Sequence, residues 1–261
     1  MSDVTESPAP GAPCWIDLGI PDAARAMEFY RAVFGWDYDD KGAEYGGYIT
    51  ALKNGKQVAG LMETPEAAQG AWWGVYFATL DLQDSVRRTT GAGGTVLTPA
   101  MDVMNLGRMA ILTDAQGARF GLWEAREFIG CELVNEPGAL CWSELMTSVP
   151  DASSTFYEQA LQLETRQIGE GGFDYRLGMV ESGPVFGVFS DPGALSPRWT
   201  TYLAVDNADE ACRTVVAHGG TVVREPADSP FGRFAVVTDP FGAEFAAMDL
   251  SKADPSQQPD V

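Results

Sequence analysis

The chain repeats itself, and that repetition restricts its possible folds more than any other feature does. Adding 127 to a residue number carries one stretch of the N-terminal half onto the C-terminal half without a gap. Cys14-Trp15 falls on Cys141-Trp142, Phe29-Tyr30 on Phe156-Tyr157, Tyr48 on Tyr175 and Gly60 on Gly187. The offset then becomes 126, where Trp73 meets Trp199 and Gly94-Thr95-Val96 meets Gly220-Thr221-Val222. Finally it is 125: Gly107-Arg108, Asp114, Gly117-Ala118 and Phe120 meet Gly232-Arg233, Asp239, Gly242-Ala243 and Phe245. One-residue slips of this kind fall in loops between related domains. A duplicated chain of 261 residues is sized for two similar domains.

Each half is itself bipartite. Trp15 to Leu18 alternates as a strand, after which Asp22 caps a helical run whose Met27, Tyr30 and Phe34 recur at helical spacing. Gly35 stops that helix. Tyr45 to Leu52 and Gln57 to Met62 flank Asn54-Gly55, a type I′ hairpin signal. The pattern restarts with a strand from Trp73 to Thr79 and a helix from Leu82 to Thr90, ended by Gly91. Strands near Thr95 to Leu97, Arg108 to Thr113 and Arg119 to Glu124 follow. The unit is a strand, a helix and about three strands, and four units fill the chain.

Composition narrows the function classes. Acids outnumber bases 37 to 17, a formal charge of −20, which repels phosphate backbones and anionic lipid heads. Neither nucleic acid nor a membrane is therefore an expected partner. There is no run of about 18 apolar residues, and the N-terminal residues lack the basic and apolar regions of a signal peptide. Cys14, Cys131, Cys141 and Cys212 form no CxxC pair, which suits a reduced, cytoplasmic setting. His218 is the only histidine and sits at a helix end, so a zinc cluster of nitrogen and sulfur ligands is excluded.

The run PDAARAMEFYRAVFGW and the closing segments GRMAILTDAQGARFGLWE and GRFAVVTDPFGAEFAAMD resemble the vicinal oxygen chelate superfamily, which contains glyoxalase I, extradiol dioxygenases and bleomycin-resistance proteins. The resemblance spans residues 14 to 250. The joint GLWEAREFIGCELVNEPGALCWSELMT is similar to two-domain glyoxalase-like proteins labelled hydroxylases and met beside polyketide antibiotic genes. It implies an α+β fold of four βαβββ modules paired into two cup domains, residues 14–128 and 138–250, joined by 129–137. Modules are expected to pair within each half, and the polar ends 1–13 and 251–261 read as mobile tails.

Enzymes of that superfamily hold a divalent metal in the cup with first-strand histidines and a closing-strand glutamate. Here those positions fall at Trp15 and Trp142, at Trp73 or Gly74 with Trp199 or Thr200, and at Gly121 and Ala246. Indole and glycine cannot replace a hydration shell. The reading is a metal-free protein without a cofactor. Trp15, Trp73 and Trp123 in one cup, with Trp142 and Trp199 in the other, favour a flat apolar or aromatic metabolite. For each tryptophan, core packing is the competing role.

Asp17 and Glu144 lie two residues beyond Trp15 and Trp142, on the same strand face. A carboxylate in an aromatic cup is raised in pKa by desolvation and suits general acid–base work or the grip of a ligand hydroxyl. An ordinary strand-edge acid is the alternative, and oxygen-only binding of Mg²⁺ or Ca²⁺ is a third option. Arg108 and Arg233, in identical contexts, read as structural partners for acids such as Asp114 and Asp239. Cys14 and Cys141 read as core thiols. The expected activity is sequestration of the metabolite or a metal-independent biosynthetic step on it. A metal-dependent lyase or dioxygenase and an interaction module with vestigial cups are the alternatives. The assembly is a monomer or homodimer.

Overall fold

A computed structural model describes residues 3–40, 42, 45–168, 174–194 and 196–257. The first half runs β1 (Pro13–Ile20), α1 (Ala23–Phe34), β2 (Asp37–Asp40), β3 (Ile49–Lys53) and β4 (Lys56–Glu63). It then repeats the plan with β5 (Trp72–Ala78), α2 (Leu82–Gly91), β6 (Thr95–Val103), β7 (Gly107–Thr113) and β8 (Arg119–Ala125). The second half follows with β9 (Leu140–Thr147), α3 (Pro150–Leu161), β10 (Glu164–Ile168), β11 (Tyr175–Val180) and β12 (Gly183–Ser190). It ends with β13 (Arg198–Ala204), α4 (Ala208–Ala217), β14 (Thr221–Ser229), β15 (Gly232–Thr238) and β16 (Glu244–Asp249). This is the α+β arrangement of four βαβββ units that the repeat implied.

The local signals account for the elements. The Asp22 side chain accepts from Arg25 N at the start of α1, and Gly35 closes that helix in the left-handed region at φ 67°. Asn54 and Gly55 both have positive φ, 53° and 76°, as a type I′ turn between β3 and β4 requires. The short edge strand β2, sequence DYDD, has no apolar alternation and was not legible beforehand.

Each half forms one eight-stranded sheet, in the orders β2-β3-β4-β1-β5-β8-β7-β6 and β10-β11-β12-β9-β13-β16-β15-β14. The two opening strands of a half lie antiparallel at the sheet centre, and each is also parallel to its own closing strand. Modules thus pair within halves. The helices lie on one face of each sheet, and the main core fills the space where those faces meet: α1 packs on α4 and α2 on α3. Trp36 Nε1 donates to the Gly138 carbonyl across the halves at 2.7 Å.

The terminal segments depart from the mobile tails expected of their composition. Asp3 bridges Leu133, Gly11 N donates to Ala78 O at 2.9 Å, and Ala12 is buried. Residues 250–257 form two short 3₁₀ turns, and Asp254 N donates to Pro230 O at 3.0 Å. Backbone groups, which composition does not report, tie both segments down. The end of the second tail, residues 258–261, lies outside the described residues.

Candidate functional site

The faces of the sheets away from the helices are where the family resemblance expects the two cups, and strand register decides which side chains those faces carry. In β1, Ile16, Leu18 and Ile20 are fully buried on the helix side, so Trp15, Asp17 and Gly19 face the cup. Asp17 pairs with Gly60 on one side and Gly74 on the other. In the second half Glu144 pairs with Gly187 and Thr200.

Each carboxylate is accompanied by the same set of residues, one tryptophan and two tyrosines, and in the second half they join into one network. Tyr76 Oη donates to Asp17 Oδ2 at 2.7 Å, and Trp15 Nε1 donates to Tyr48 Oη at 2.8 Å. In the other cup Tyr202 Oη donates to Glu144 Oε1 at 2.9 Å, and Trp142 Nε1 donates to Tyr175 Oη at 2.9 Å. Tyr175 also hydrogen-bonds Glu144. Because the indole N–H occupies the Tyr175 oxygen as a donor, the phenolic hydrogen is free to point at the carboxylate.

A small residue beneath each phenol makes this possible: a side chain on Gly60 would overlap the Tyr48 hydroxyl, and one on Gly187 the Tyr175 hydroxyl. Across the strand, Asp17 Oδ1 lies 2.7 Å from where a side chain on Gly74 would begin, whereas the longer Glu144 faces Thr200.

Burial dominates the electrostatics. Desolvation pushes the Asp17 carboxyl up to about 6, against the opposing pull of the Tyr76 hydroxyl and of Arg119. Glu144 is raised for the same reason, opposed by Tyr175, Tyr202 and Arg224. Each cup therefore carries an arginine at its rim, stacked on an aromatic ring: Arg119 over Trp72 at 4.7 Å, and Arg224 over Phe234 at 5.0 Å. The two do not correspond under the repeat; Arg119 aligns with Glu244, which instead pairs with Arg198 at 3.0 Å.

The cups also differ at one end. Phe128, from the joint between halves, packs edge-to-face on Trp15 at 4.7 Å and on Trp123 at 5.7 Å, and its carbonyl accepts from Trp123 Nε1 at 2.8 Å. The position matching Phe128 in the second half is Ala253. There the cup walls are two separate apolar clusters, one around Tyr175 and Leu177 and one around Tyr202 and Met248, which meet at the partly exposed Trp142.

The structure thus brings Trp15, Asp17 and Trp123 to the first cup and Trp142 and Glu144 to the second. It removes Trp73 and Trp199. They lie one residue away from Gly74 and Thr200, so their side chains point to the helix side, where the two halves meet. Trp199 Nε1 donates to the Tyr157 hydroxyl at 2.9 Å, and Trp73 packs edge-to-face on Tyr30 at 5.5 Å.

The arginine partners also differ from those expected. Arg108 pairs with Glu124 and Asp102, and Arg233 with Asp209 and Asp228. Asp114 and Asp239 use one oxygen to hold their own turns and the other to accept from Tyr157 and Tyr30. Burial raises the Cys14, Cys131 and Cys141 thiols, and all four cysteines are free. Tyr48, Tyr76, Tyr175 and Tyr202 were missed as site residues. Their signal was available, since Tyr76 matches Tyr202 at the offset of 126 just as Tyr48 matches Tyr175 at 127.

The donor set does not fit the divalent metal of the vicinal oxygen chelate enzymes. Asp17 is already held by the Tyr76 hydroxyl and Glu144 by those of Tyr175 and Tyr202, and the two acids lie in different halves. Among the described residues no three His, Cys, Asp or Glu side chains gather into a group.

Comparison with known proteins agrees with this architecture. Residues 14–122 match the family described as Glyoxalase/Bleomycin resistance protein/Dioxygenase superfamily, and residues 142–248 match the Glyoxalase-like domain. The chain is 40% identical over 246 residues to the protein CFP32 of Mycobacterium tuberculosis, covering 91% of this chain and 94% of that one. It is 38% identical over 267 residues to the anthracycline biosynthesis protein DnrV of Streptomyces peucetius, covering 95% and 96%. Among solved structures, the Mn(II)-bound glyoxalase from Novosphingobium aromaticivorans superposes with a TM-score of 0.64 at 13% identity, over 99% of this chain and 87% of that one. The chain belongs to the glyoxalase, bleomycin resistance protein and dioxygenase superfamily, as a two-domain member in which both first-strand positions hold tryptophan.

Proposed function

We propose that this protein binds an apolar or aromatic small metabolite in its cups, without a divalent metal. The observation that carries this reading is the repeated set of a tryptophan, two tyrosines and a desolvated carboxylate. Indole and phenol faces supply flat apolar area, and one acid per cup supplies a partner for a ligand hydroxyl. The second half lacks the phenylalanine that packs on Trp15 in the first, Ala253 standing at the position of Phe128. The names of DnrV and of DauV from Streptomyces sp. C5, both anthracycline biosynthesis proteins, support a polycyclic, polyketide-like ligand.

The same geometry serves two uses. In sequestration, the ligand hydroxyl donates to the carboxylate and the ring lies against the indole. In a metal-independent biosynthetic step, Asp17 or Glu144 takes a proton from the ligand while its tyrosines hold the carboxyl in place. The Asp17 carboxyl, pushed up to about 6 by desolvation, suits both, and burial raises Glu144 in the same direction. The four free, buried or half-buried thiols suit a reducing cytoplasm.

Native mass spectrometry of the purified protein, with metal analysis of the same sample, tests this reading. A co-purifying aromatic metabolite with substoichiometric metal supports it. Stoichiometric zinc, nickel, iron or manganese would favour the lyase or dioxygenase alternative.

A further inference from the structure

The two halves are joined by two equivalent seams, which differ at one end. At the seam between α1 and the end of α4, the Phe241 ring is covered by the Arg25 guanidinium at 5.2 Å. That guanidinium lies beside Gly219, 3.6 Å from where a side chain there would begin. At the other seam, between α3 and the end of α2, the repeat places Gln116 where Phe241 stands, Ala152 where Arg25 stands and Ala115 where Pro240 stands. Three large residues have become smaller. The result is a groove of about 430 Å³, lined by these positions together with Phe156 and Asp151.

The first seam states what fits the second. Phe156 and the alanines give the groove an apolar floor, as a ring requires. The end of α2 presents its carbonyl pole there, just as the end of α4 does beside Arg25, and that pole favours a cation. Asp151 adds a carboxylate at the rim, its side chain 97% exposed and paired with Arg176 on one side. Gln116, like Phe241 in the other half, lines this end of the seam. The chain's charge of −20 adds attraction of the same sign.

We propose that the groove between α2 and α3 is a second ligand site, separate from the cups, that takes a small aromatic cation: an aryl ring bearing an amidinium, guanidinium or ammonium group. Such a molecule reproduces in trans the contact that Phe241 and Arg25 make in the other half.

Benzamidine is a suitable probe, with benzyl alcohol and benzoate as neutral and anionic controls, followed by saturation-transfer NMR on the full chain. Benzamidine is expected to bind saturably and to weaken with added salt, with both controls at least about fivefold weaker. Gln116→Phe and Ala152→Arg each rebuild part of the first seam. They should abolish benzamidine binding while the melting temperature holds or rises, which shows that the fold is intact. Asp17→Asn and Glu144→Gln should leave this binding unchanged, separating it from any capture by the cups. Equal binding of benzoate, or benzamidine binding that survives both filling variants or is lost in the cup variants, would overturn the proposal.

Discussion

The Tyr30 hydroxyl on α1 donates to Asp239 Oδ2 at 3.1 Å, across 209 residues of chain, and Tyr157 returns the contact to Asp114 at 3.2 Å. Each aspartate closes a turn in its own half through backbone donors and grips the other half through its second oxygen. The closing sequences TDAQGA and TDPFGA are therefore latches between halves as well as turns. Tyr30→Phe leaves a buried carboxylate oxygen without its donor and should cost about 1–3 kcal/mol. Tyr157→Phe should behave alike, and denaturant unfolding of both variants checks this.

Asp17 makes stability depend on pH. Its carboxyl is raised from 3.8 to about 6, so between those values the folded chain binds more protons than the unfolded one. Stability from this group is therefore highest below about pH 4, falls as pH rises toward about 6, and stays reduced above it. Asp17→Asn removes that loss. The variant should be more stable than the parent at pH 8 by up to about 3 kcal/mol, with the difference shrinking toward pH 4. Melting curves of the pair across this range measure it.

The tryptophans should separate by face. Trp15→Ala or Trp142→Ala should weaken binding of a polycyclic aromatic ligand by about 1–3 kcal/mol if the indole is a central anchor. Trp73→Phe and Trp199→Phe should leave affinity unchanged and lower the melting temperature, because both rings are buried in the main core on the helix side. Paired affinity and melting measurements distinguish the two classes. Unchanged affinity in both alanine variants, with folding intact, would return Trp15 and Trp142 to core packing.

Gly60 and Gly187 should tolerate no side chain. Alanine at either position collides with the hydroxyl of the overlying tyrosine and displaces Tyr48 from Trp15, or Tyr175 from Trp142 and Glu144. Gly187→Ala should lower stability by about 1–3 kcal/mol and impair ligand binding in the second cup.

Most of the architecture was legible in the sequence because duplication and helix caps are local or periodic signals. The repeat of Cys14-Trp15 at Cys141-Trp142 set the module plan, and Asp22 with Gly35 bounded α1. The site was legible only in part. Asp17 and Glu144 followed from alternation along a strand. Trp73 and Trp199 went to the wrong face because a cross-strand register uncertain by one residue inverts every side chain. The tyrosine partners come from elsewhere in the sheet, Tyr76 on β5 against Asp17 and Tyr48 just before β3 against Trp15, so their placement depends on sheet order, which sequence periodicity does not carry.

The central claim is that the carboxylate networks hold an aromatic ligand without a metal. Tryptophan fluorescence of the full chain, titrated with a fused-ring phenol such as 1,8-dihydroxyanthraquinone in the presence of a chelator, tests it most directly. The account predicts a saturable change in the parent that persists with chelator, is unaffected by added divalent metal, and is weakened by Glu144→Gln and Asp17→Asn together. A flat titration, or a change that appears only when a divalent metal is added, would contradict it.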